Sequence, residues 1–391
     1  LAITVNLFSL AGSYHVGYRN LTFGHIDFGL LIPFLIGVLG PNILLKFIRP
    51  SWGLRYPELL FVFCLGWIGF TVPAWGLLNY LVNIMVEVHY YVSPENQWRA
   101  LFFPYLPDWV VISDGAGAVT GYYQGIRDAI SIPWGAWVIP VLWWFSFFAG
   151  LLAVGLCQVV LLRKQWVEHE RLSYPLAQLP IALTETSGED ASPWPAMIRN
   201  RMFAIGFGLS LFMMLWNIAG YWLNWEPFPI RWGNGTTIQI GRDFPPQIIR
   251  MNVITFTLSF FMNVDILFSI WFFQILKTLE QGLLTRVGIN SVSGTAIPGG
   301  LVAVQFIGGL IAFVIWGFWT ARRHLSEVWR HIRGGPSSLR DEDELLPYRT
   351  AVMLGVFGSL YVVFWLHTTG MSFPVIVVFL LLIFLFYMAV C

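Results

Sequence analysis

The chain has 391 residues, of which 57% are hydrophobic and only 11% charged, with a formal net charge of +1. A soluble domain carries about 25% charged residues, so an ordinary soluble domain is excluded, and the balanced charge excludes a generally basic nucleic-acid binder. Cys64, Cys157 and Cys391 sit within apolar runs without CxxC spacing, which argues against a disulfide framework or a thiolate metal site.

A mean hydropathy of +0.68 and several apolar runs of roughly 20 residues predict an all-α, polytopic transmembrane helical bundle. Its 20 Trp and 14 Tyr suit the headgroup level of a bilayer. Spans are expected at about 26–46, 59–82, 135–161, 202–223, 251–276, 301–319, 351–367 and 373–391, with 1–10 the end of a ninth. The chain reads as one membrane domain over 1–391, and since it begins and stops within apolar runs we expect truncation at both ends. GPN at 40–42 predicts a proline kink in the first span. Asn20 and Asn234 match the glycosylation sequon on the expected outer side.

Lysine and arginine decide orientation. Lys46, Arg49 and Arg55, then Arg163, Lys164 and Arg171, then Arg199 and Arg201, and finally Arg322, Arg323, Arg330 and Arg333 mark cytoplasmic connections. Loops of about 46–56, 163–201 and 321–349 therefore face the cytoplasm, and the aromatic connections of about 87–133 and 224–250 face outward. Between Arg201 and Arg322 the chain must cross an even number of times, yet three apolar segments lie there. The segment 251–276 is the one expected not to cross simply.

That segment contains FMNVDILFSIWFF (261–273), an amide and a carboxylate within an apolar run. On one straight helix Asn252, Thr255, Ser259 and Asn263 would form a polar stripe, with Asp265 and Ser269 pointing elsewhere. A lipid-facing carboxylate at mid-depth costs about 2.5–3.5 kcal/mol on insertion scales. A break near 263–265 removes the conflict, because irregular backbone at membrane depth is tolerated where it lines a cavity or packs on protein. Structural glue and a coupling-ion site are both open readings of Asp265.

The second candidate is VEHERLSYPLAQLPIALTE (167–185), too short to span. It predicts a short re-entrant or interfacial helix over 173–182, with Ser173 as N-cap and Pro175 in the first turn. Its N-terminus, with Ser173 and Tyr174, would suit an anionic group; a cytoplasmic elbow that only packs helices, with Glu168, His169 and Glu170 solvated, is equally open. Glu168, His169 and Glu170 are consecutive and do not share a helix face, so no metal site is expected.

ERLSYPLAQLPIAL, VDILFSIWFF, SPENQW, PYLPDW and IPWGAW together resemble an uncharacterised family of bacterial polytopic membrane proteins, a domain of unknown function whose elbow reads close to ERLTFPLVQLP. The resemblance covers nearly the whole chain. The LSYP of the elbow is also similar, over that stretch alone, to the oligopeptide transporter family, which implies a transporter class. The expected function is a secondary, ion-coupled transporter of a small solute in a bacterial inner membrane. It would use Asp265, Asn263, Ser259, Ser269, Ser173 and Tyr174, with no cofactor. Such a transporter would work alone or as a homo-oligomer; the alternative is a non-catalytic scaffold or accessory subunit that docks a larger membrane complex through its aromatic outer loops. No nucleophile or acid–base pair suggests an enzyme.

Overall fold

The computed structural model describes residues 28–70, 77–125, 132–172, 174–185, 193–226, 236–242, 244, 246–249, 255–256, 259–260, 262–288, 300–336 and 339–390. In chain order the principal helices are α1 (Phe28–Phe34), α2 (Gly40–Ile48), α3 (Tyr56–Phe70), α4 (Leu77–Tyr90), α5 (Trp98–Leu101), α6 (Ala118–Gln124) and α7 (Trp134–Lys164). They continue as α8 (Pro175–Thr184), α9 (Arg201–Leu223), α10 (Val264–Arg286), α11 (Gly300–Ile332), α12 (Tyr348–Thr368) and α13 (Phe373–Val390). An antiparallel ribbon, β1 (Thr236–Ile238) with β2 (Gln247–Ile249), pairs Thr237 with Ile248. Among the described residues, six helical stretches are long and apolar enough to cross a membrane: Gly29–Ile48, Pro50–Phe70, Trp134–His169, Arg201–Leu223, Gln305–Ile332 and Tyr348–Thr368. Phe373–Ala389 is apolar but shorter. The end of a span expected at 1–10 lies outside the described residues, as do the asparagines of both sequons.

Several boundaries differ from the sequence reading, each for a local reason. The stretch expected as one span at 59–82 is helical over Tyr56–Phe70 and again over Leu77–Tyr90, so helix reaches into the expected outer loop. The Glu58 carboxylate accepts from the Arg55 N–H at 2.7 Å and sets the earlier start of α3. At the other end, α11 continues to Ile332 through what was expected as loop. Its arginines sit on exposed positions while Ala321, His324 and Val328 are buried at helical spacing, so no polar residue has to break the helix. The expected kink at 40–42 takes the form of a wide π turn over Leu35–Leu39, where the Gly40 N–H reaches back to the Leu35 carbonyl. Pro41, which has no N–H, follows it.

The largest correction concerns 251–276. Helix α10 starts only at Val264 and runs to Arg286. Lys277, Glu280 and Arg286 then fall inside it, and it is not among the helices apolar enough to span. Among the described residues, α9 and α11 are the candidate spans that begin between Arg201 and Arg322.

The described chain divides into two compact units, Leu1–Leu81 with Ser173–Arg286, and Val82–Leu172 with Val287–Cys391. In the first, Leu30, Phe34, Leu39 and Ile43 of the α1–α2 stretch pack on Leu59, Phe63 and Phe70 of α3. Phe34 and Phe63 meet edge to face at 5.0 Å. The buried Asn42 side chain accepts from the Leu54 N–H at 2.6 Å, tying α2 to the connection that follows it.

The second unit is built on the α7–α12 pair. Small residues let the two backbones approach: a Cβ added at Gly358 would lie 2.8 Å from the Gly150 carbonyl oxygen, and one at Gly355 would lie 2.7 Å from Cys157 Sγ. The pair is antiparallel, because Phe147 clusters with Trp365 while Val160 clusters with Tyr348. One end is aromatic: Trp109, Trp144, Phe147 and Trp365 cluster there, and the Trp365 indole donates to the Trp143 carbonyl at 3.1 Å. The other end is charged.

Candidate functional site

The sequence-predicted residues fall in the first unit. Asp265 occupies the first turn of α10, and its N–H donates to Asn263 Oδ1 at 3.1 Å. The amide thus caps the helix start and explains why the helix begins there rather than at 251. Ser269 Oγ donates to the Asp265 carbonyl at 2.7 Å, one turn on. The Asp265 carboxylate is exposed, and among the described residues it has no hydrogen-bond or ion-pair partner. With Ile266, Ser269, Ile270 and Phe273 it borders an open depression of about 420 Å³ on one face of α10. A negative charge at a helix N-terminus is favoured by about 0.3–1 kcal/mol. Ser259 lies before the break and donates to the Phe256 carbonyl at 2.6 Å.

The elbow folds as a short helix, with a difference in its cap. The ten-residue α8 starts at Pro175, where the missing N–H costs nothing, and the N-cap position belongs to Tyr174, whose side chain makes no capping bond. Ser173 lies outside the described residues, so the capping role expected of it is replaced by a proline start. At about 1.5 Å per residue, α8 rises roughly 15 Å, half a hydrocarbon core. Before it, a π turn over Gln165–His169 ends α7. Arg171 adopts the left-handed region (φ 50°), which redirects the chain. Asn263, Asp265 and Ser269 come together; Ser259 and Tyr174 stand at other helix ends.

Two features that sequence reasoning did not single out lie in the second unit. The first is a cleft of about 770 Å³ among α7, α11, α12 and α13. Helix α11 touches α13 through Phe318 and Phe384, stacked at 5.6 Å, and meets the end of α7 where His324 Nε2 lies 2.9 Å from the Leu161 carbonyl. The space between those contacts and the α7–α12 seam stays open. Val154, Leu161, Val352, Val356, Phe384 and Met388 make its walls apolar, and Arg322, Ser326 and Trp329 form an exposed rim. Gln158 also lines it, is 5% exposed, and has no partner for either Oε1 or Nε2. An unpaired buried polar group costs about 1–3 kcal/mol. A lone amide in the apolar run GLCQVVLL was visible in the sequence, by the same rule that drew attention to Asp265.

The second is a buried charge cluster at the charged end. Glu344, with a side chain 0% exposed, accepts from Arg163 Nε at 2.6 Å and Nη2 at 3.0 Å. Lys164 Nζ stands 3.7 Å from the same carboxylate and donates to the Arg340 carbonyl. The Tyr348 hydroxyl lies 3.4 Å away. Two cations sharing one buried carboxylate form a staple between α7 and the segment leading into α12.

No curated protein and no solved structure matches this chain, so neither supports the similarity to oligopeptide transporters. A profile described as a family of unknown function (DUF6785) matches residues 1–391, and the chain belongs to that family.

Proposed function

We propose that this member of an uncharacterised membrane family is a secondary, ion-coupled transporter of a small solute, working as a multi-pass protein of a bacterial inner membrane without covalent chemistry. The observation that carries the reading is the Gln158 amide, nearly fully buried and unpaired at both atoms, in a cleft large enough for a ligand. A solute that pairs with the amide recovers the cost of leaving it bare, which is a driving force for binding at membrane depth. Asp265 supports the coupling half of the reading. It is a carboxylate without a protein partner at the start of a helix that follows a break, and discontinuous helices are where transporters hold their ions.

The test is flux in liposomes containing the purified full chain and a pH-sensitive dye, with an imposed proton gradient and a panel of amino acids, peptides, nucleosides and monoacyl lipids. At least one solute should collapse the gradient, and Asp265→Asn should abolish that response while leaving thermal stability within about 1 kcal/mol, as for an exposed substitution. Absence of solute-dependent proton movement across the whole panel, or full flux in the well-folded Asp265→Asn variant, would overturn the coupling assignment.

A further inference from the structure

The cleft of the second unit is polarised along its length. Its rim holds Arg322, whose guanidinium donates to the Trp319 carbonyl and sits 4.4 Å from the Trp319 ring. Among the described residues its other N–H groups have no partner, nor does the neighbouring Ser326 hydroxyl. Over 322–333 the end of α11 and the residue after it carry four arginines against the single carboxylate of Glu327, so the rim is cationic. Gln158 lies six residues before Lys164 on α7, about 9 Å inward from the charged end at 1.5 Å per residue. Beyond it the lining is mostly hydrocarbon, Val154, Val356, Leu360 and Phe384, and the Ser359 hydroxyl there is bonded to the Gly355 carbonyl.

We propose that this cleft binds a monoacyl phospholipid with an anionic head, with phosphate on Arg322 and Ser326, the glycerol ester region on Gln158, and the acyl chain along the apolar wall. Each part answers an observation. The free guanidinium N–H groups call for an anion, and phosphate takes them as charge-assisted bonds. Gln158 lacks both an acceptor for Nε2 and a donor for Oε1, and an ester carbonyl beside a free hydroxyl supplies one of each. That pairing selects a monoacyl lipid, because a diacyl lipid has esterified the hydroxyl. The volume of about 770 Å³ belongs to the ~300–1,000 Å³ class that holds one modest ligand. The head-to-chain direction also matches a lipid of the leaflet that meets the positive end of the protein. The inference rests on the cleft being the solute site of the transporter proposed above, and it names that solute's class.

Cys157 lines the same cleft, and the exposed Cys64 belongs to the other unit, so alkylation of Cys157 reports occupancy with an internal control. The full chain in an uncharged sugar detergent is titrated with monoacyl phosphatidylglycerol, neutral monoacylglycerol of the same chain, diacyl phosphatidylglycerol and inorganic phosphate, and alkylation at each cysteine is followed by mass spectrometry. Monoacyl phosphatidylglycerol should slow Cys157 and leave Cys64 unchanged, while neutral monoacylglycerol should need about tenfold more, as for one lost charged contact. Gln158→Leu replaces an unpaired amide by an apolar group of similar size and should fold at least as well as the parent. It should weaken protection about tenfold, as should Arg322→Gln. Equal protection by diacyl phosphatidylglycerol, by phosphate alone, or in both variants would overturn the assignment, and so would no protection by any probe. Proton-coupled flux of another solute with no lipid protection would sink this inference alone; loss of both would sink the transporter reading with it.

Discussion

Glu344→Ala removes the one carboxylate that two cations share, and the structure sets the size of the effect. Breaking a buried pair by deleting one partner costs about 3–5 kcal/mol, because the remaining charge is left without a counter-ion. Arg163 is 37% exposed and can rehydrate, which pulls the cost toward the lower bound, whereas Lys164 is only 9% exposed and cannot. We expect a loss of about 3 kcal/mol. For a unit of about 200 residues that is a drop of roughly 6–12 °C in Tm, at about 2–4 °C per kcal/mol. Glu344→Gln keeps an acceptor for the Arg163 Nε–H and should lose about half as much. The assay is thermal unfolding of the full chain in detergent, followed by alkylation of the half-buried Cys157. A shift below about 1 °C for the alanine variant, or an equal shift for glutamine, would show that the cluster is solvated and that its burial is wrong.

Gly358→Ala sets two effects against each other: a helix-propensity gain of about 1 kcal/mol and overpacking of about 1–3 kcal/mol. The new Cβ would meet the Gly150 carbonyl at 2.8 Å and Ala153 Cβ at 2.9 Å, closer than the ~3.5–4.0 Å of a good contact, so net destabilisation should appear in the same assay. Gly206→Ala on α9, with nothing within 4 Å, should show none, and equal behaviour of the two would refute the close α7–α12 seam. Asp114 accepts from Thr120 Oγ1 at 2.5 Å and from the Thr120 and Val119 N–H groups at 2.9 Å; the Thr120 hydroxyl bond, then its N–H, hold the carboxyl below the usual carboxylate range. A depressed folded-state pKa gives stability that is present above the unfolded value of about 3.9 and lost as pH falls through the folded one, so hydrogen exchange at Val119 and Thr120, corrected for intrinsic rate, should accelerate only below about pH 4; a rise nearer neutrality would contradict it. In a chain stripped of native cysteines, Ser113→Cys should react with an impermeant thiol reagent in intact cells and Ser326→Cys should not, and the reverse pattern would invert the orientation.

What the amino-acid order determined by itself was whatever depends on neighbours within a turn or two. Apolar runs long enough for a bilayer placed α7, α9 and α12 within a few residues, because hydrophobic length is a local property. Proline at 175 and 180, with about thirteen apolar-leaning residues between charges, announced that α8 would be short. The start of α10 was half legible: the conflict between Asn263 and Asp265 called for a break, but only the capping bond put it at Val264 and moved the helix toward Arg286. Tertiary structure alone decided the rest. Glu344 finds Arg163 across 181 residues of chain, and no periodicity in the loop 333–347 marks it. Gln158 was visible as an odd residue in an apolar run, yet whether its amide would meet a partner or an open cleft depended on where α11 and α13 cross the α7–α12 pair. Secondary structure answers to propensity and hydropathy along the chain, whereas a site is made by groups that approach through packing, and packing is settled only when every helix has found its face.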